Sequence, residues 1–301
     1  MSIFIFAMML VIGSAIASVL GLLLIKKKPE LNHDEAVHSV ADPLLSVVGT
    51  LYAVLLGFLI VTAIGNFDHA KMAVEAEANY LSDVFKLAEG LPDDLRQDIQ
   101  NTSLAYAQTV VHEEWRAMEV GLPSLTAWEE IDRLWNSIVS FQPHTDQETT
   151  VYGALINCMS ELNEQRRNRL LASRSSIDPV LWAVIICGAI ITILFTYFFS
   201  LRNTKSHIMM ICFVSITLSL NIFLLAIYNS PFTGQLRVRP DAFIFNIKMF
   251  GWSLKHPKGI RSWLRKSQAP KPNLNDPLIE LDITDPRTKK KLLDALQPGL
   301  R

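Results

Sequence analysis

The side chains that could do chemistry in this chain are few, and their spacing argues against catalysis. His112-Glu113-Glu114 lacks the second histidine that a zinc-protease helix requires, so it is a fragment and not a metal motif. The three cysteines, Cys158, Cys187 and Cys212, have neither CxxC nor Cys/His spacing. They read as small apolar side chains, with no disulfide framework and no metal site expected. No Walker loop, nucleophile elbow or dinucleotide fingerprint is present, so neither an enzyme nor a cofactor is expected. Glu75, Glu77 and Asp83 gather on one predicted helix and read as a solvated acidic face. What remains is a set of four arginines, Arg166, Arg167, Arg169 and Arg174, one to three turns ahead of an apolar segment. Arg166 and Arg169 share a face by i, i+3 spacing, and Arg167 and Arg174 share another. Two roles fit them. They hold this end of a membrane helix against anionic lipid, at about 1 kcal/mol per charge, or they form a cationic vestibule that concentrates anions and that salt would screen.

The elements that must position these groups are helices, four of them in lipid. Ile3–Ile25, Leu44–Ile64, Val180–Ser200 and Ile208–Tyr228 are apolar and contain no Lys, Arg, Asp or Glu. A hydrocarbon core needs about 20 such residues, because each rises about 1.5 Å and no backbone amide can stay unpaired in lipid. The expected class is therefore an all-α polytopic membrane protein. The first segment contains an Ala15/Ala17 pair resembling a signal-peptidase site, but it lacks a basic leading region and stays apolar to Ile25, so it is expected to remain as a helix. Ion-driven transporters need carboxylates or histidines within the membrane, and these four segments hold none. Passive conduction past apolar and hydroxyl groups is left open.

Small residues recur every four positions in the first two helices: Gly13, Ala17 and Gly21, then Gly49, Ala53 and Gly57. Lipid gives helices no hydrophobic reason to associate, so such stripes permit close backbone approach. They predict packing within one chain or, alternatively, an oligomer contact or pore lining. The fourth helix carries Ser215, Thr217, Ser219 and Asn221. Hydroxyls can bond back to their own helix, whereas the Asn221 carboxamide is expected to seek a partner on another helix or a hydrated path.

Charge divides the polar remainder. Residues 66–178 hold nineteen acidic against nine basic residues, and 229–301 hold six against fourteen, an asymmetry hidden in the net charge of −1. The chain thus divides into a first membrane pair (1–65), an acidic helical domain (66–178), a second membrane pair (179–228) and a basic tail (229–301). In the domain, Phe67–Glu89 continues the second membrane helix, with Val74, Ala78, Leu81, Phe85 and Ala88 at helical spacing. Gly90-Leu91-Pro92 ends it, and a helix to about Met118 follows, with Ile99, Leu104, Ala107, Val110, Val111 and Trp115 inward. Beyond Gly121-Leu122-Pro123 the next helix is capped by Ser124 or Thr126, the latter forming a capping box with Glu129. A long helix runs from about Gln147 to Arg174. In the tail, Pro240–Lys266 mixes aromatics with cations and reads as a lipid-surface segment or as an arm packed on the domain. A Pro-rich linker at Gln268–Pro277 and a short helix from Pro286 to Leu296 follow. Nothing accompanies the basic charge that would make it a nucleic-acid module. Basic residues near helix ends place both termini and the domain in the cytoplasm.

Five blocks in order resemble the bacterial bestrophin-like family. They are DPLLSVVGTLYAVLLGFLIV (42–61), EAEANYLSDVFKLAEGLP (75–92), EEWRAMEVG (113–121), LNEQRRNRLLASRSSIDPVLW (162–182) and NSPFTGQLRVRPDAF (229–243). Bestrophins proper are pentameric anion channels with four membrane helices, a helical cytoplasmic domain and a pore along the second helix. The resemblance therefore implies a homo-oligomer, pentameric in the family's manner, in a bacterial inner membrane, with lipid and small anions as its partners. Its pore would be lined by Thr50, Val54, Gly57 and Val61 and gated by dewetting. The competing expectation is a non-conducting anchored protein that binds a partner through its helical domain or basic tail.

Overall fold

The structure, a computed structural model, describes residues 3–26, 35–197, 204–234 and 236–256. All regular elements among the described residues are helical. Four helices are long and apolar enough to cross a membrane: α1 (Ile3–Lys26), α2 (Glu35–Leu87), α7 (Pro179–Tyr197) and α8 (Thr204–Tyr228). Between them lie α3 (Asp93–Thr109), a π-helical turn (Val110–Glu114), α4 (Trp115–Met118), α5 (Leu125–Val139) and α6 (Asp146–Arg174). The last, α9, spans Asp241–Lys255.

The 53-residue α2 organises everything else. It begins before Pro43 and runs unbroken through the apolar segment into the polar region, as the periodicity from Val74 to Phe85 predicts. A helix of this length spans about 80 Å at about 1.5 Å per residue, so one rod joins membrane and polar domain. Its membrane part packs Tyr52, Leu56, Leu59 and Ala63 against Ile185 and Ala189 of α7 and Leu225 of α8. Its polar part lies along α6. There, Leu81, Val84 and Ala88 face inward with Leu155, Met159 and Leu162.

Local chemistry sets the breaks. Gly121 has φ of 73°, a left-handed conformation that favours glycine. Its N–H bonds to the Met118 carbonyl and that of Leu122 to Ala117, a Schellman motif ending α4. Ser124 caps α5, its hydroxyl accepting from the Ala127 N–H at 3.3 Å. The expected Thr126–Glu129 box is thereby corrected, because the helix already starts at Leu125. Thr145 caps α6 through the Glu148 N–H, and the Glu148 carboxylate accepts from the His144 N–H at 2.8 Å.

Residues up to Gly251 form one compact unit. In it α9 packs on the α2 extension: Phe250 stacks on Phe85 with ring centres 4.1 Å apart, and Asn246 donates to the Ala78 carbonyl at 2.6 Å. One face of α9 thus packs on the domain, while Phe245 and Met249 stay exposed on the other, which leaves both readings of the aromatic tail segment in place; its residues 257–266 lie outside the described residues. In the second unit, from Trp252 onward, the His256 ring stacks on Trp252. The expected linker at 268–277 and helix at 286–296 lie outside the described residues.

Candidate functional site

α2 has two faces in its membrane part, and only one is used by its own chain. At about 100° per residue, Thr50, Val54, Gly57 and Val61 fall within about 60° of arc, nearly opposite Tyr52, Leu56, Leu59 and Ala63. The second set is buried against α7 and α8. The first is bare: Val54 is 67% and Val61 69% exposed, and Thr50 and Gly57 are exposed beside them. Thr50 donates its hydroxyl to the Ser46 carbonyl at 2.7 Å, and Thr62 does the same to Phe58. Their hydrogen-bonding capacity is thus largely spent on their own helix, and the stripe stays apolar. Phe58, Val47 and Leu51 extend it sideways.

The small-residue stripes do not close the protomer in the way expected for packing within one chain. A Cβ at Gly13, Gly49 or Gly57 would meet nothing within 4 Å, and Ala17 and Ala53 are exposed. Gly21 alone of the six is used, a Cβ there coming 2.6 Å from the Tyr197 hydroxyl. That hydroxyl donates to the Ser18 carbonyl at 2.7 Å. Serine supplies the α1–α8 seam instead: Ser14 with Ser219, and Ser18 with Ser215. A second close approach occurs at Gly188, where the Tyr52 ring lies against the α7 backbone and its hydroxyl bonds the Ile185 carbonyl at 3.0 Å. Asn221 also departs from expectation. Its amide donates to the Thr217 carbonyl on its own helix at 2.9 Å and not to another helix.

The arginines divide sharply. Arg167 and Arg174 are exposed, but Arg166 is 3% exposed and Arg169 fully buried. The expectation that these two line a vestibule or anchor to lipid is corrected, because both are committed to buried carboxylates. Arg169 Nε and Nη2 grip the Glu77 oxygens at 2.6 and 2.9 Å, and Nη2 also reaches Glu114 Oε2 at 2.6 Å. Arg166 Nη2 donates to Glu114 Oε1 at 2.6 Å. The Tyr106 hydroxyl donates to Glu77 Oε1 at 2.6 Å, and the Arg169 guanidinium lies 5.8 Å from the Trp115 ring centre and 5.9 Å from that of Phe243. Two carboxylates and two guanidiniums, all buried, thus tie α2, the π-helical turn and α6 together.

Electrostatics follow from this geometry. Burial alone would raise the Glu114 carboxyl, but the Arg169 and Arg166 guanidiniums outweigh it and hold the group below its ordinary value. Burial likewise opposes charge on Arg169, and Glu77 more than offsets it, so the guanidinium stays firmly protonated. Burial and then Glu77 push the Tyr106 phenol well up, keeping it a donor. With every carboxylate oxygen engaged by a donor, this cluster offers no free base or nucleophile. It is a latch.

Sequence reading missed the latch, taking Glu77 for a solvated face and Glu114 for part of a metal-motif fragment. A signal was present. Glu77 sits within the Val74–Ala78–Leu81 stripe, and Glu114 sits beside Val110 and Trp115. Arg166 and Arg169 continue the row of Leu155, Met159 and Leu162. Two acids and two bases at core positions of three helices amount to a balanced buried set. Among the described residues, no three of His, Cys, Asp and Glu come together to hold a metal ion.

The comparisons with known proteins agree on one relationship. A family model described as Bestrophin-like domain matches residues 12–243. Among solved structures, single-substitution variants of a bacterial bestrophin homolog from Klebsiella pneumoniae are similar in fold. One has a TM-score of 0.62 at 15% identity, over 81% of this chain and 97% of that one. Another has 0.61 at 17% identity, over 83% and 97%. No curated protein matches.

Proposed function

Because the chain belongs to the Bestrophin-like family, we propose that it is an oligomeric membrane channel that passes small anions passively, with α2 lining the pore. The supporting observation is the bare α2 stripe of Thr50, Val54, Gly57 and Val61, set opposite the face that packs on α7 and α8. Glycines with nothing near them leave room for copies of α2 to approach one axis closely. A ring of valine side chains around such an axis makes an apolar constriction, which holds no ion and opens by wetting. The small-residue stripe of Gly13, Ala17, Gly49 and Ala53 is assigned to contacts between copies.

Arg167 and Arg174, which take no part in the latch, are assigned to the approach to the pore or to the headgroups beside it. The protein then sits in a bacterial inner membrane with its termini and helical domain in the cytoplasm, and the family resemblance favours five copies. Native mass spectrometry of the detergent-solubilised protein tests the assembly. A closed ring supports the reading. A monomer or two-fold dimer refutes it and favours an anchored, non-conducting partner-binding protein.

A further inference from the structure

The turn between α4 and α5 displays an unusual run of apolar side chains for an acidic helical domain. Val120, Leu122, Leu125 and Trp128 are each between 59% and 79% exposed, on a stretch of nine residues. Two contacts join this turn to the membrane-helix junctions. Arg174 Nε donates to the Gly121 carbonyl at 2.9 Å, and Arg237 Nη1 meets Glu119 Oε1 at 2.9 Å.

Both anchoring residues flank membrane helices. Arg174 ends α6 and lies five residues before Pro179, the first residue of α7. Five residues reach at most about 18 Å even when fully extended. Arg237 follows the end of α8 by nine residues. The two junctions are themselves tied together, because the Ile177 N–H bonds the Asn229 side-chain oxygen at 2.7 Å. The turn is therefore fixed near headgroup depth and not at the far end of the domain. Around it stand exposed Arg116 and Arg174, the Arg237–Glu119 pair and the exposed Glu129. Exposed apolar side chains, one of them an indole, with long-stemmed Arg116 and Arg174 beside them, suit the boundary between acyl chains and headgroups.

We propose that the turn carrying Val120, Leu122, Leu125 and Trp128 is a lipid-surface anchor, inserted into the leaflet that the helical domain faces. It braces the domain against the bilayer through Arg174 and Arg237, independently of whether the protein conducts.

The full chain, with Cys158, Cys187 and Cys212 replaced by Ala, carries a nitroxide at Leu122→Cys or Leu125→Cys in vesicles of 3:1 phosphatidylcholine and phosphatidylglycerol. A label at Thr149→Cys, at the opposite end of α6, is the water reference. Oxygen accessibility exceeding that of a soluble nickel complex at 122 and 125, with the reverse at 149, is expected. Equal or greater nickel accessibility at 122 and 125 overturns the proposal. Shielding from both reagents also overturns it and identifies a protein neighbour, such as a second copy, as the occupant. Should the cysteine-free chain fail to fold, the native protein serves in vesicles with brominated acyl chains. Bromine quenching is expected to fall on Trp128→Phe substitution, and an unchanged quenched fraction overturns the proposal.

Discussion

Replacing Arg169 by Met is the most informative perturbation of the latch. The substitution keeps the apolar stem near Trp115 and Phe243 but removes three N–H···O bonds, two to Glu77 and one to Glu114. Glu114 retains Arg166, whereas Glu77 keeps only the Tyr106 hydroxyl and becomes a buried carboxylate without a counter-charge. Breaking a buried pair in this way costs about 3–5 kcal/mol, mostly because the abandoned charge stays desolvated. At roughly 2–4 °C per kcal/mol for a domain of this size, the melting temperature falls by about 6–20 °C. The assay is a thermal melt of the detergent-solubilised protein, read by fluorescence-detected size exclusion. A second substitution sharpens it. Glu77→Leu added to Arg169→Met removes the stranded charge and leaves Arg166–Glu114 as a complete pair, so much of the lost stability returns. A single Arg169→Met variant melting with the native protein refutes the argument, as does a double variant no more stable than the single one.

Three further outcomes follow from other parts of the molecule. The Glu114 carboxyl is held below its ordinary value, so its contribution is fully present above pH 4.5 and is lost as pH falls through the lower folded value; melts should be insensitive to this group from neutral pH to about 5 and weaken in acid, and less so in Glu114→Gln. Gly21→Leu drives a side chain into the Tyr197 hydroxyl and should cost about 1–3 kcal/mol by overpacking, whereas Gly13→Leu, with nothing within 4 Å in its own chain, should act instead on the contact between copies and shift the oligomer peak before heating. In bilayer recordings Val54→Ser should raise conductance by wetting the constriction, and Gly57→Leu should lower it by narrowing the axis; no change in either would remove this face from the pore.

The fold was legible because its signals are local and redundant. Length and hydropathy marked four membrane helices, and the stripe from Val74 to Phe85 showed that the second continues into the polar domain. Gly121 marked its turn through a conformation that favours glycine. Spacing showed that Thr50, Val54, Gly57 and Val61 share an arc of α2, but not that this arc is the bare one, because Tyr52, Leu56, Leu59 and Ala63 share another by the same spacing. Partner choice was not legible. Ser14, Ser18, Ser215 and Ser219 form the α1–α8 seam, yet nothing local distinguishes a serine facing another helix from one bonding its own. Asn221 illustrates the reverse, a polar group expected to reach another helix or a hydrated path whose amide instead donates one turn back. The latch was missed for a related reason. Arg166 and Arg169 look like juxtamembrane charges when α6 is read alone, and only the meeting of α2, the π-helical turn and α6 buries them against Glu77 and Glu114.

The central claim, that copies of α2 surround an anion-conducting axis, is tested most directly by current through the purified oligomer in planar bilayers. The measurement compares the native protein with Val54→Cys before and after a negatively charged thiol reagent. The account predicts an anion current that the reagent abolishes in Val54→Cys and spares in the native protein. Absence of current from correctly inserted oligomer, or a Val54→Cys current indifferent to a reagent shown to have reacted there, contradicts it.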